Sequence, residues 1–257
     1  LDGDRSYCVT GAGTCKDEEI IIPSYYKGKP VTVISEFAFK ECSFIKNITL
    51  PETLTTIESQ AFYGCTSLKK ITFSGENNLK IINQNAFENC DLQGTVSLPQ
   101  ICIISDYAFA GNQNLKGITT SSTLQSVGQY AFAGCKALED VTIVADKVKY
   151  GAYAFTGCAA LTSFEVRSAV IPAGMIYECA SLASVTVGAD VNLIGEYAFR
   201  DTAVAAFDIA AGNKAYKVQK AAYIISADEK QLIAVSPALT SVTASDIGGA
   251  AVTSLAR

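Results

Sequence analysis

The chain has 257 residues, among them nine cysteines and one methionine, and contains neither histidine nor tryptophan. With 49% apolar and 18% charged residues it can bury a continuous core, which excludes the disordered class, and a net charge of −5 without clustered Lys or Arg argues against phosphate backbones as partners. Lack of histidine excludes Ser-His and Cys-His nucleophile pairs, His-based zinc sites and His general bases, and no apolar run reaches the roughly 18 residues of a membrane-spanning helix.

The chain opens at Leu1 without an initiator Met or a signal-like apolar segment, so either a leader has been removed or the sequence is an excised piece. Cys8 and Cys15 flank "VTGAG", a glycine-bearing turn near the start. A disulfide between them would staple a frayed terminus and imply an oxidising compartment; two free thiols are the alternative. Residues 1–30 are expected to form an N-terminal cap and first coil.

From there "AFYGC" (Ala61 to Cys65) and its close copies punctuate the chain. The aromatic or aliphatic position falls at Phe39, Phe62, Phe87, Phe109, Phe132, Phe155, Ile176 and Phe199, in steps of 23, 25, 22, 23, 23, 21 and 23 residues. A fixed period of this length is the signature of a solenoid whose units stack on their neighbours, so residues 31–210 are expected to be regular repeats. In "LTTIESQAFYGCTSLKKITF" (Leu54 to Phe73) apolar or small residues recur about every third position and close on a two-residue alternation at Ile71 and Phe73. Such a chain turns corners and contributes one short strand per coil.

Side chains alternate between the two faces of a strand, so the residue between the inward pair must point out. That column runs Thr49, Thr72, Ser97, Thr119, Thr142, Glu165, Thr186 and Asp208. The residue before the pair is outward too: Asn47, Lys70, Thr95, Gly117, Asp140, Ser163, Ser184 and Ala206. The side-chain-bearing members, Thr119 and Ala206 apart, are the candidate binding residues; against this stands the plain fact that Thr is a good strand former on a solvated face. The sequon Asn47-Ile48-Thr49 is a glycan acceptor only if a eukaryotic cell secretes the chain, and its place in a strand disfavours modification.

Cys42, Cys65, Cys90, Cys135, Cys158 and Cys179 each follow the repeated aromatic or aliphatic residue by three places and form one column, with Asn112 and Thr202 in the same slot. Spaced a whole coil apart, they lack the close pairing of zinc ligands and are expected to be buried, reduced and structural, with no metal. Cys102 stands alone in "ICII". Near "GITTSSTLQSVG" the composition turns Ala-rich and Thr120 takes the second inward position, which is either drift within one array or a joint between two. Residues 211–238 alternate around the turn-like "ADEK" as a β-hairpin inserted between coils, and 239–257 start an incomplete coil, Leu239, Val242 and Ile247, without A-F-x-x-C, as a truncated array would.

The unit L-x-x-I-x-x-x-A-F-x-x-C-x-x-L-x-x-I-x-L resembles the BspA-like class of leucine-rich repeats, and "IIIPSYYKGKPVTVISEFAFKEC" resembles the first coil of that class; the match spans about residues 7 to 210. The resemblance implies an α/β-class leucine-rich-repeat solenoid, a curved horseshoe of mainly short parallel β-strands with short helical turns, and residues 1–257 as a single array. It further implies a monomeric cell-surface or secreted extracellular protein that binds a protein or glycan, for example host extracellular matrix or other cells, without a cofactor. The rival is a structural spacer with no ligand of its own: about nine coils at about 4.8 Å each give a length of about 45 Å, adequate for either role. Carboxylate-only catalysis by Asp140, Glu165 and Asp208 is disfavoured because they sit in separate coils on an open face, and "GAG" and "IGG" are turns rather than phosphate loops.

Overall fold

The computed structural model describes residues 5–220, 222–229, 231–237 and 239. It shows a parallel-strand solenoid with the expected period. Each regular coil carries its face strand: Glu19–Ile21, Asn47–Leu50, Lys70–Phe73, Gly94–Leu98, Leu115–Thr120, Asp140–Thr142, Ser163–Val166, Ser184–Val187 and Ala206–Ile209. These pair in parallel register, Thr49 opposite Thr72, Ser97 and Thr142 on either side of Thr119, and Glu165 and Asp208 on either side of Thr186.

A second ladder accompanies the single strand per coil expected from the sequence. Tyr7–Val9, Lys29–Ile34, Thr56–Ile57, Ile81–Ile82, Ile103–Ile104, Ser126–Val127 and Lys149–Tyr150 form one continuous row, with Tyr25–Tyr26 added antiparallel at Lys29–Ile34. The row stops there and resumes as a separate pair, Val170–Ile171 with Leu193–Ile194. The reason is covalent. Gly151 and Gly195 donate their N–H to Val127 and Ile171 of the preceding coil, whereas Pro172 holds that position in the intervening coil and has no N–H to donate.

The corner holding the A-F pair is a run of turns, and there is no helix among the described residues. The residues two before and two after the repeated Phe or Ile have positive φ in every coil, for example Gln60 (54°) and Gly64 (67°), or Tyr130 (54°) and Gly134 (69°). Alternating right- and left-handed backbone aims successive peptide units along the stack instead of around a helix axis. Phe37, Phe39 and Glu41 thus donate to the carbonyls of Ser59, Ala61 and Tyr63 in the next coil, while Ala38, Lys40 and Cys42 close three-residue turns within their own. That arrangement satisfies the corner's main chain without a helix.

Inside the corner the phenylalanines stack face to face, with ring centroids 5.1, 5.0, 5.4, 5.3 and 5.1 Å apart from Phe39 through Phe155. Five of the six cysteines of the column are buried, and Cys42, in the outermost of these coils, is half-buried. The column is more than apolar filling. The thiols of Cys65, Cys90, Cys135, Cys158 and Cys179 each point at the carbonyl of the Phe one coil back, at 3.0 to 3.3 Å, and burial pushes the Cys135 thiol up to about 12, which keeps it a neutral donor.

Asn112 performs the same task, its Nδ2 donating to Phe87 O at 2.7 Å and to Phe109 O at 2.8 Å. Its Oδ1 also accepts the N–H of Leu92 (3.1 Å). In the coils of Cys42, Cys65, Asn112, Cys135, Cys158 and Cys179 that N–H bonds to the column residue three places before it, as Leu68 does to Cys65, but Leu92 follows Cys90 by only two and needs an outside acceptor. Asn112→Ala is therefore expected to cost about 1–3 kcal/mol in urea denaturation, and Asn112→Cys to recover only part of it, because the thiol replaces the donor and not the acceptor. Equal losses in the two variants would rule out the donor role.

After the last regular coil, Tyr216–Gln219, Tyr223–Ser226 and Leu232–Val235 form a three-stranded antiparallel sheet, one strand more than a simple hairpin. It is tied to the stack by Tyr216 Oη donating to Asn192 O (3.0 Å) and Ser236 Oγ donating to Val204 O (2.6 Å). Apart from Leu239, the incomplete coil expected over 239–257 lies outside the described residues.

Candidate binding face

Alternation within each face strand puts one set of side chains in the core and the other in solvent. In Ser163–Val166, for instance, Phe164 and Val166 are buried while Ser163 and Glu165 are exposed. Every sequence-derived candidate lies on this outward face. Lys70, Thr95, Ser97, Asp140, Thr142, Ser163, Glu165, Ser184 and Asp208 are exposed, and Asn47, Thr49, Thr72 and Thr186 are half-buried by their neighbours. Some of them bond to one another: Thr49 Oγ1 and Thr72 Oγ1 are 2.9 Å apart, and Thr72 Oγ1 also donates to Ile48 O at 3.3 Å. Asn47 Nδ2 donates to the Glu19 carboxylate, so the sequon's amide is engaged with a neighbouring strand.

The face is not one continuous sheet but three panels of three strands. Glu19–Ile21, Asn47–Leu50 and Lys70–Phe73 make the first, Gly94–Leu98 to Asp140–Thr142 the second, and Ser163–Val166 to Ala206–Ile209 the third. Candidates are thus in register within a panel and separated between panels. The inward residues record these breaks: Ile71 and Phe73, and Val141 and Ile143, are only half-buried because no strand covers them on the C-terminal side, whereas Ile48 and Leu50 are buried.

Two features of the face escaped the sequence reading. Ile21 stands in register with Thr49 and is 75% exposed, so the column begins with a large apolar residue; the coil before Phe39 lacks the A-F-x-x-C unit by which the others were aligned. Arg167 grips Glu165 through two bonds, Nε to Oε1 and Nη2 to Oε2, both 2.9 Å. This occupies the carboxylate most central to the third panel and leaves a planar ion pair rather than a free acid on the surface. Of the two alternatives for Cys8 and Cys15, a bridge or free thiols, the structure has the second: both are half-buried free thiols, and Cys15 Sγ lies 3.5 Å from Asp17 Oδ2.

A family model described as BspA type leucine rich repeat region matches the chain in six copies, over residues 13–103 and 80–205. No curated protein matches. Among solved structures, a leucine rich cell surface protein from Faecalibacterium prausnitzii is 22% identical with a TM-score of 0.49, covering 81% of this chain and 73% of its own. A leucine rich repeat protein of T. pallidum is 26% identical with a TM-score of 0.49, covering 70% and 74%. The pneumococcal vaccine antigen PcpA is 19% identical with a TM-score of 0.41, covering 84% and 46%. No helix among the described residues is long and apolar enough to cross a membrane.

Proposed function

Because the chain belongs to the BspA-type leucine-rich repeat family, we propose that it is a non-enzymatic binding array, secreted or held at a cell surface, whose outward strand face engages a protein such as host extracellular matrix. The observation that carries this reading is the register of the face. Thr49 with Thr72, Ser97 with Thr119 and Thr142, and Glu165 with Thr186 and Asp208 repeat at strand spacing on a rigid core. Their hydroxyls donate and accept, and their small side chains let a partner approach the main chain closely. No cofactor is needed for such contacts.

Catalysis is not the reading the face supports. Its carboxylates stand exposed in separate coils, and Glu165 is held by Arg167, so no pair is desolvated against another.

Replacing Thr142, Glu165 and Thr186 together by Lys tests the proposal, since all three point outward and the variant should keep its fold by circular dichroism. Binding to immobilised matrix proteins and to epithelial cells is expected to fall about tenfold or more, as three long cations cover the middle of the face. A folded variant that binds as well as the parent moves the site off this face. A parent chain that binds neither matrix nor cells overturns the adhesive reading in favour of a spacer.

A further inference from the structure

The two breaks in the face differ in one respect that matters for binding. Between Lys70–Phe73 and Gly94–Leu98 the second ladder continues on both sides, with Thr56–Ile57 paired to Ile81–Ile82 and Ile81–Ile82 to Ile103–Ile104, and asparagine side chains reach over to neighbouring main chain. Asn77 Nδ2 donates to Ser97 O (2.9 Å) and Asn78 Nδ2 to Glu52 O (3.0 Å). Between Asp140–Thr142 and Ser163–Val166 the second ladder is kept on one side only, where Ser126–Val127 pairs with Lys149–Tyr150, and no such side-chain bond is found among the described residues. Both are edge strands, the second ladder is interrupted on the other side, between Lys149–Tyr150 and Val170–Ile171, and no hydrogen bond joins the two face strands among the described residues.

The opening is nevertheless held in shape. Ala160 N–H donates to Lys136 O (3.0 Å) at one end and Lys147 N–H to Arg167 O (2.9 Å) at the other, while Phe132 and Phe155 stay stacked at 5.1 Å behind it. Between these pins the first coil has ten residues, 137–146, and the second only six, 161–166. Two segments of such unequal length cannot run side by side in register, so the longer one parts from its neighbour. The space left is about 350 Å³, lined by Val141, Ile143 and Phe164 with Glu165 and Arg167 at the rim, and Val144 beside it is 52% exposed.

We propose that this opening is a slot for one extended peptide segment of a partner protein. Its main chain pairs with the two facing strand edges, and an apolar side chain seats against Val141, Ile143 and Phe164. An edge strand offers a row of unpaired N–H and C=O groups that only another extended chain satisfies in full, and here two such rows face each other across an apolar floor. A helix or a globular surface would leave both rows unmet. The floor is made of inward-facing side chains and the walls of main-chain edges, while Thr142 and Glu165 of the outward columns stand at the rim.

The probe is a fluorescein-labelled peptide with the sequence of residues 181–190, SLASVTVGAD, whose central strand already pairs in parallel with Ser163–Val166 inside the protein. Saturable one-to-one binding is expected, with amide hydrogen exchange slowed about tenfold or more in residues 140–146 and 163–167. Deleting residues 143–146, which makes the two coils equal in length, should abolish both effects. Absence of saturable binding, equal binding of a scrambled peptide, or protection confined to the open edge at Ala206–Ile209 would overturn the proposal. Should the deletion variant fail to fold, the exchange map of the intact chain decides by itself.

Discussion

Truncating Phe132 to alanine is expected to lower the stability of the array by about 3–5 kcal/mol, the cost of removing a large aromatic side chain from a packed core. Phe132 is 1% exposed and lies between Phe109 at 5.3 Å and Phe155 at 5.1 Å, so its loss opens a void on both sides. Position adds to the effect. The face ladder is interrupted between the coils of Phe132 and Phe155, and across that interval the stack is carried by the short pair Ser126–Val127 with Lys149–Tyr150, by the aromatic column and by corner bonds such as Phe132 N–H to Ala154 O (2.8 Å). Phe39→Ala, at the end of the column with a ring neighbour on one side only, should cost visibly less. Thermal and urea unfolding measure both variants. Equal losses would mean that the coils do not stabilise one another through this column.

A second large effect is expected where a side chain has no room at all. A Cβ added to Gly151 would lie 2.3 Å from Gln129 N, 2.6 Å from Gly128 C and 2.7 Å from Gln129 Cα, all main-chain atoms of the preceding coil. A flexible side chain could move aside, but a main chain fixed by its own ladder cannot, so the coils must be pushed apart. Gly151→Val should cost about 3 kcal/mol or more and lower the melting temperature accordingly. Gly134→Ala is the control: nothing lies within 4 Å of its Cβ, and only its φ of 69° opposes the change. About 1–2 kcal/mol is expected there. If the two variants melted alike, crowding between coils would not be what selects glycine at 151.

The period, the inward and outward columns and the identity of every exposed candidate were legible before any coordinates, and the reason is local. Alternation along a strand and the recurrence of A-F-x-x-C depend on residues a few places apart, and several copies of one unit average out the noise of any single coil. Asn47 through Asp208 landed on the outward face for that reason. What a coil does to the next one could not be seen in the same way.

The second ladder rests on strands of only two residues, such as Ile81–Ile82, too short to show an alternation. The left-handed corner positions are filled by Gln60, Tyr130 or Gly174 alike, because what holds them is pairing to the adjacent coil. Asn112 looked like a tolerated oddity in a thiol column until Leu92, a coil earlier, was seen to need its carbonyl. The face ladder runs unbroken through Gly117–Thr119, where the composition turns Ala-rich, and opens one coil later. That opening follows from a difference in length between two neighbouring segments together with a proline at 172, a relation between coils that no single coil contains. The sequence by itself determined which side chains face the core and which face solvent. Where the stack is closed and where it stands open was decided only when the main-chain donors and acceptors of adjacent coils met or failed to meet.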